Sequence, residues 1–238
     1  MRKALIFLLS FILHTAFAQI SFFNMPNPDM LPDVGYSYSE YDRYQTLKGE
    51  NNVNASVLRM SVQATPFLEV GTNWWFNSDH PQDPNRVVLA TKWRAWLYKS
   101  EKIKLSMSPG SWTSLYFVKD TPMKNIVYDF LGLSIQHSKY IYTRLMFGGY
   151  GKYVKDQTSQ YGFIAGVEQR LSKKLVFVTD YFSGTGEGYG LAPGFVWYAT
   201  ENGTNFPIYL AYQFDNESRK NDLLLVEVGY FLRFWKRK

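Results

Sequence analysis

Residues 222–235 read Asp-Leu-Leu-Leu-Val-Glu-Val-Gly-Tyr-Phe-Leu-Arg-Phe-Trp. Leu224, Val226, Val228, Tyr230, Leu232 and Phe234 share one parity, and Glu227, Gly229 and Arg233 the other. Side chains alternate across a strand, so this two-residue period predicts a β-strand with one apolar and one polar face. The pattern recurs upstream. Leu58, Met60, Val62 and Ala64 oppose Arg59, Ser61 and Gln63. Leu68, Val70, Thr72 and Trp74 oppose Glu69, Gly71 and Asn73. Val87, Leu89, Trp93 and Leu97 oppose Lys92 and Arg94. No stretch of the mature chain shows a helical period, so the fold class is all-β.

The breaks between alternating segments fall into two sets that take turns along the chain. The short set is Thr65-Pro66, Lys99 to Lys102, Ser138-Lys139, Ser172 to Lys174 and Thr200 to Asn205. The longer, more polar set is Gln45 to Asn52, Asn77 to Asn85, Phe117 to Asn125, Val154 to Gln160, Ser183 to Gly188 and Asp215 to Asn221. Tight turns on one side and long loops on the other are expected of a single antiparallel up-and-down transmembrane β-barrel. A Greek-key sandwich has no reason to alternate in this way. Counting segments gives about 12 strands, with 10 to 14 compatible with the pattern. They run over 34–44, 53–64, 67–76, 86–98, 103–116, 126–137, 140–153, 161–171, 175–182, 189–199, 206–214 and 222–234. Most are long enough to cross a bilayer when tilted. An even count returns both ends of the barrel to one side, which an exported barrel places in the periplasm.

The chain start supplies the export signal. Arg2 and Lys3 precede an apolar run to Ala18 that ends Ala16-Phe17-Ala18. This is the layout of a secretory signal peptide over residues 1–18, cleaved before Gln19. Residues 19–32 form a lead-in carrying Pro26, Pro28 and Pro32, residues 33–235 form the barrel, and Lys236-Arg237-Lys238 form a basic tail. The expected location is the outer membrane of a Gram-negative bacterium. Expected partners are outer-membrane lipid and, during biogenesis, the barrel assembly machinery; the sequence does not set the oligomeric state.

Composition agrees. The chain has no Cys, 18 Tyr, 18 Phe and 7 Trp. Stability must come from something other than disulfides, and the aromatic content suits strands and membrane-interface belts. Trp74-Trp75-Phe76, Tyr181-Phe182 and Tyr212 to Phe214 fall beside long loops, while Tyr98, Tyr140, Tyr142, Trp197-Tyr198 and Phe234-Trp235 fall beside short turns or the chain end. Two aromatic belts are therefore expected. The net charge of +6 falls to about +4 without Arg2 and Lys3, too little to point to nucleic acid.

Twelve strands enclose more space than the roughly eight whose side chains fill a barrel. The polar face is therefore expected to line a lumen and the apolar face to meet lipid. The lumen-lining candidates are Arg59, Glu69, Lys92, Arg94, Lys104, Arg144, Glu168, Arg170, Asp180, Glu227 and Arg233. The opposite facing, with the polar side turned to water, would describe a soluble secreted β-protein. The first strand is ambiguous: Tyr36, Tyr38, Glu40 and Asp42 share a face that could look either way.

The last strand resembles the C-terminal assembly signal of outer-membrane barrels, except that Lys236-Arg237-Lys238 follow the aromatic. Met25 to Pro32, Asp180-Tyr181-Phe182-Ser183-Gly184 and Gly190 to Trp197 resemble a family of uncharacterised bacterial outer-membrane, porin-like barrel proteins. The resemblance spans nearly the whole mature chain and implies no known activity.

Catalytic chemistry is poorly represented. His14 belongs to the leader; His80 follows Asp79 in a long loop, and His137 ends a strand. A barrel hydrolase would need one of them beside an acid or a nucleophile. There is no His/Cys cluster with metal-ligand spacing, and the glycine-rich run at 184–190 lacks the Lys-Ser/Thr of a phosphate loop. No cofactor is expected. Seven of the eleven lumen candidates are basic, which would mildly favour anions. The leading expectation is a passive channel for small polar or anionic solutes, not an enzyme. The alternatives are a non-conducting structural or surface-interaction barrel and, behind both, a barrel hydrolase.

Overall fold

The computed structural model describes residues 36–46, 54–76, 85–117, 121–184, 189–199, 206–218 and 222–233. The signal peptide, the lead-in, the basic tail, His80 and the Phe234-Trp235 pair lie outside these residues. The strands are β1 (Tyr36–Thr46), β2 (Asn54–Thr65), β3 (Leu68–Phe76), β4 (Arg86–Trp93 continued by Ala95–Lys99), β5 (Ile103–Met107 continued by Gly110–Tyr116), β6 (Lys124–Gln136), β7 (Tyr142–Val154), β8 (Gln160–Arg170), β9 (Leu175–Phe182), β10 (Gly190–Tyr198), β11 (Pro207–Asp215) and β12 (Leu223–Arg233). Each pairs antiparallel with the next, and β12 returns to β1 with Tyr36 opposite Arg233. The result is a closed 12-strand up-and-down barrel. Every predicted segment coincides with a strand to within a few residues.

Two strands are interrupted where the sequence reading has them continuous. Pro109 has no N–H to donate to the ladder, and it splits β5. The neighbouring backbone still bonds through the gap: Trp93 N–H donates to Pro109 O at 2.8 Å, and Ser108 N–H to Phe130 O at 2.9 Å. In β4, Arg94 leaves regular pairing, and the register against β5 shifts between Trp96 and Tyr98. A bulge of this kind locally raises twist and bends the strand.

The facing of the strands follows from exposure. Leu89, Leu131, Leu145, Phe147, Phe163, Phe195 and Leu210 are exposed, and so are Leu58, Leu97 and Leu232 on the same outward parity. A water-soluble monomer rarely presents so large a continuous apolar band. The opposite parity is buried and polar, so the chain is inverted relative to a soluble β-protein and its exterior suits lipid. β1 is settled as well: Tyr38, Glu40, Asp42 and Tyr44 are all buried, facing inward.

The aromatic belts are only partly as expected. Trp74, Phe76, Phe117 and Tyr161 ring the long-loop end on the outside, and Phe67, Trp93, Tyr98, Tyr140 and Trp197 ring the short-turn end. Phe182 is buried on the inward parity, and Trp75 lies inside, stacked on Tyr44 at 5.3 Å between ring centroids. Tyr142 and Tyr198 also belong to the inner wall. Their parity, rather than their nearness to a strand end, decides the side.

Several inward rings approach glycines of the adjacent strand closely. A Cβ added to Gly229 on β12 would sit 2.1 Å from the Tyr38 hydroxyl, and one added to Gly110 on β5 would sit 2.2 Å from the Tyr128 hydroxyl. Gly149, on the outer face, would gain only an ordinary contact at 3.5 Å. Gly229→Ala is therefore expected to destabilise the barrel by about 1–3 kcal/mol through overpacking, whereas Gly149→Ala should be nearly neutral. Urea unfolding of both variants from lipid vesicles checks this; equal midpoints would overturn it.

Candidate functional site

Glu40, Asp42, Glu69, Glu168, Asp180 and Glu227 are buried, together with Arg59, Lys92 and Arg86. Toward the short-turn end, Arg94, Arg144 and Arg170 are half-buried and Lys104 is exposed. Lys104, Ser134, Arg144 and Glu168 occupy one cross-strand row from β5 to β8. Arg233 closes the β1–β12 ladder, but its side chain lies outside the description. The lining is therefore not evenly basic: its carboxylates are buried, several of its basic side chains are more exposed, and Glu168 stands among the latter as the partner of Arg144.

Strand register builds the pairs. Glu69 and Lys92 stand directly opposite on β3 and β4, and Lys92 Nζ lies 3.4 Å from Glu69 Oε1 with both side chains fully buried. Glu40 stands opposite Arg59, whose guanidinium reaches diagonally to Asp42, with Nε 2.5 Å from Oδ2. The same guanidinium donates to the Tyr44 hydroxyl. Arg144 Nη1 donates to both oxygens of Glu168, at 2.8 and 3.0 Å. Tyr142 donates its hydroxyl hydrogen to Glu168 as well. Arg144 also covers the Tyr142 ring at 4.2 Å, and Arg170 lies 5.2 Å from the Tyr198 ring. Cations over aromatic faces gain further attraction where water is scarce.

Aromatic side chains narrow the interior toward the long loops. Trp112 on β5 and Phe182 on β9 have ring centroids 6.5 Å apart. These strands are four places apart in the sheet, so the contact spans the interior. Phe182 also meets Tyr150 at 4.5 Å and Tyr189 at 5.1 Å. Arg86 lies 4.0 Å above the Trp75 ring. Lys92, Glu69, Glu40 and Glu227 are buried at 0–1% exposure.

The sequence reading omits Glu40, Asp42 and Arg86 from the inner wall. Glu40 and Asp42 sit on a strand whose two faces are both polar and aromatic; only the pairing of Glu40 with Arg59 gives the facing away. Arg86 occupies the first position of β4 and reads as the end of a loop. His137 is exposed at the short-turn end, its Nε2 2.7 Å from Thr143 Oγ1. That contact provides neither an acid partner nor a nucleophile in a cleft.

No family model matches the chain, and no curated protein is similar to it in sequence. A solved structure does share its architecture. The KdgM porin in complex with disordered oligogalacturonate superposes with a TM-score of 0.53 at 12% identity, over 81% of this chain and 98% of that one. The Acinetobacter baumannii outer membrane protein Omp33 follows at 0.44 and 7%, over 84% and 99%. Salmonella typhi OmpF in complex with daunomycin gives 0.36 and 9%, over 83% and 96%. At such identities the likeness concerns the fold. The chain has the fold of the porin-like outer-membrane β-barrel proteins.

Proposed function

We propose that this chain sits in the outer membrane of a Gram-negative bacterium as a narrow channel-type barrel for small polar solutes, with no reaction of its own. The observation that carries this reading is the inner wall. A barrel serving only as a scaffold could fill its centre with apolar side chains. This one places a succession of ion pairs and tyrosine hydroxyls there, joined to a basic approach at Arg94, Lys104, Arg144 and Arg170. Charge rings of this kind set selectivity in pores. The more exposed basic side chains near the short turns favour entry of anions from that side, while the buried carboxylates discriminate among them. The packing of the centre argues for small currents rather than those of a wide porin, because passage requires paired side chains to move.

Planar-bilayer recording from folded, detergent-purified protein tests this. The expected result is stepwise conductance well below that of a 16-stranded porin. Arg144→Glu with Arg170→Glu is expected to shift the reversal potential in a salt gradient toward cations. Folded protein that gives no steps under any applied voltage would overturn the channel. It would favour a non-conducting barrel, the reading that full burial of the central pairs supports.

A further inference from the structure

The closing seam of the barrel brings three carboxylates together. Asp42 on β1 stands directly opposite Glu227 on β12. Glu40 lies two residues before Asp42 on the same inward face. One carboxylate oxygen from each lies within 4.8 Å of the others. Like charges directly opposite on a sheet repel, and these three are sealed from solvent at 0–1% exposure. Among the described residues the cation beside them is Arg59, which meets Asp42 Oδ2 and the Tyr44 hydroxyl; its single positive charge is shared among three carboxylates. Tyr38 donates to Glu40 Oε1 at 2.7 Å. That leaves Glu40 Oε2, Asp42 Oδ1 and both oxygens of Glu227 buried with no hydrogen-bond partner among the described residues. Glu227 is the decisive member, because its whole carboxylate is buried beside Glu40 and Asp42 and neither of its oxygens has a hydrogen-bond partner outside this acidic group among the described residues.

We infer that Glu40, Asp42 and Glu227 bind a divalent cation of the calcium type inside the barrel wall, beside Arg59. Ca²⁺ takes six to eight oxygen ligands in adaptable geometry, carboxylates foremost. The three carboxylates with Arg59 carry a formal charge of −2, which one such ion cancels. The ligands come from the first and last strands. The site is therefore complete only once the barrel has closed, and a bound ion ties the two ends of the sheet together. The assignment concerns stability and holds whether or not the barrel conducts.

Terbium(III) is the probe, since it occupies oxygen-rich calcium sites and luminesces when a nearby tyrosine is excited. Tyr38 lies beside Glu40, and its hydroxyl reaches that of Tyr209 at 3.3 Å. Full-length protein refolded into vesicles with terbium is expected to show tyrosine-sensitised emission that excess Ca²⁺ displaces. Glu227→Gln, nearly isosteric, is expected to reduce that emission at least tenfold while keeping the heat-modifiable gel mobility of a folded barrel. Should Glu227→Gln fail to fold, Glu40→Gln serves as the second variant. Emission absent from the wild type, or unchanged in a folded variant, would overturn the site; it would mean the carboxylates are held together by protons.

Discussion

Lys92→Ala is expected to destabilise the folded barrel by about 3–5 kcal/mol, the cost of leaving a buried carboxylate without its partner. Lys92 and Glu69 are both fully buried and stand opposite each other on adjacent strands. Removing the ammonium leaves Glu69 where water cannot reach it. Removing both charges leaves no carboxylate unpaired, so Glu69→Gln combined with Lys92→Ala should recover part of the loss. The pair acts as a unit, and the double variant must therefore be less damaging than the sum of the single ones. Urea unfolding from vesicles, monitored by tryptophan fluorescence, gives all four values. If the double variant lost as much as the two singles combined, the two groups would not be coupled and the description of the centre would be wrong.

Leu210→Arg carries the second large effect. Leu210 projects outward from the middle of β11 and is 55% exposed. On a water-facing sheet this change would fall within about 0.5 kcal/mol of neutral. At the lipid midplane of a barrel it costs about 2–4 kcal/mol. The same measurement on Tyr212→Arg, nearer the long loops, should show a smaller loss, because the penalty fades toward the headgroups. An unfolding midpoint for Leu210→Arg equal to wild type would return the protein to the soluble class.

The strands were legible because lipid and lumen impose opposite demands on alternate residues. β12 shows this most clearly: Leu224, Val226 and Val228 could not share a face with Glu227 without cost. β1 hides its facing for the same physical reason. Tyr36, Tyr38, Glu40, Asp42 and Tyr44 alternate with Ser37, Ser39, Tyr41, Arg43 and Gln45, so neither parity is apolar. Its direction is decided by Arg59 and Glu227 on its two neighbours, which no local pattern contains. The interruption at Pro109 was readable in principle, since proline removes a ladder donor. The bulge beside Leu97 was not, because nothing in Trp96-Leu97-Tyr98 distinguishes an extra residue from a regular one. Among the site residues, the pairs Glu69–Lys92 and Arg144–Glu168 join neighbouring strands and follow from counting along each hairpin. The Glu40–Asp42–Glu227 group depends on the two ends of the chain meeting, and Trp112–Phe182 depends on how far the inner wall curves.

The ladder between β1 and β12 also bears on how the molecule comes into being. Tyr36 and Arg233 are register partners at nearly the full sequence span of the barrel. Loop-closure entropy grows only with the logarithm of length, so bringing them together costs roughly 3 kcal/mol more than forming a short hairpin. The penalty is modest, but it falls due in a single final event. Until then none of the cross-seam contacts of Asp42, Glu227, Tyr38 or Gly229 exists. Contacts so distant in sequence slow folding. A chain shortened from either end would therefore not make a slightly weaker barrel. It would lack the terminating step, and every earlier hairpin would remain in equilibrium with its unfolded form.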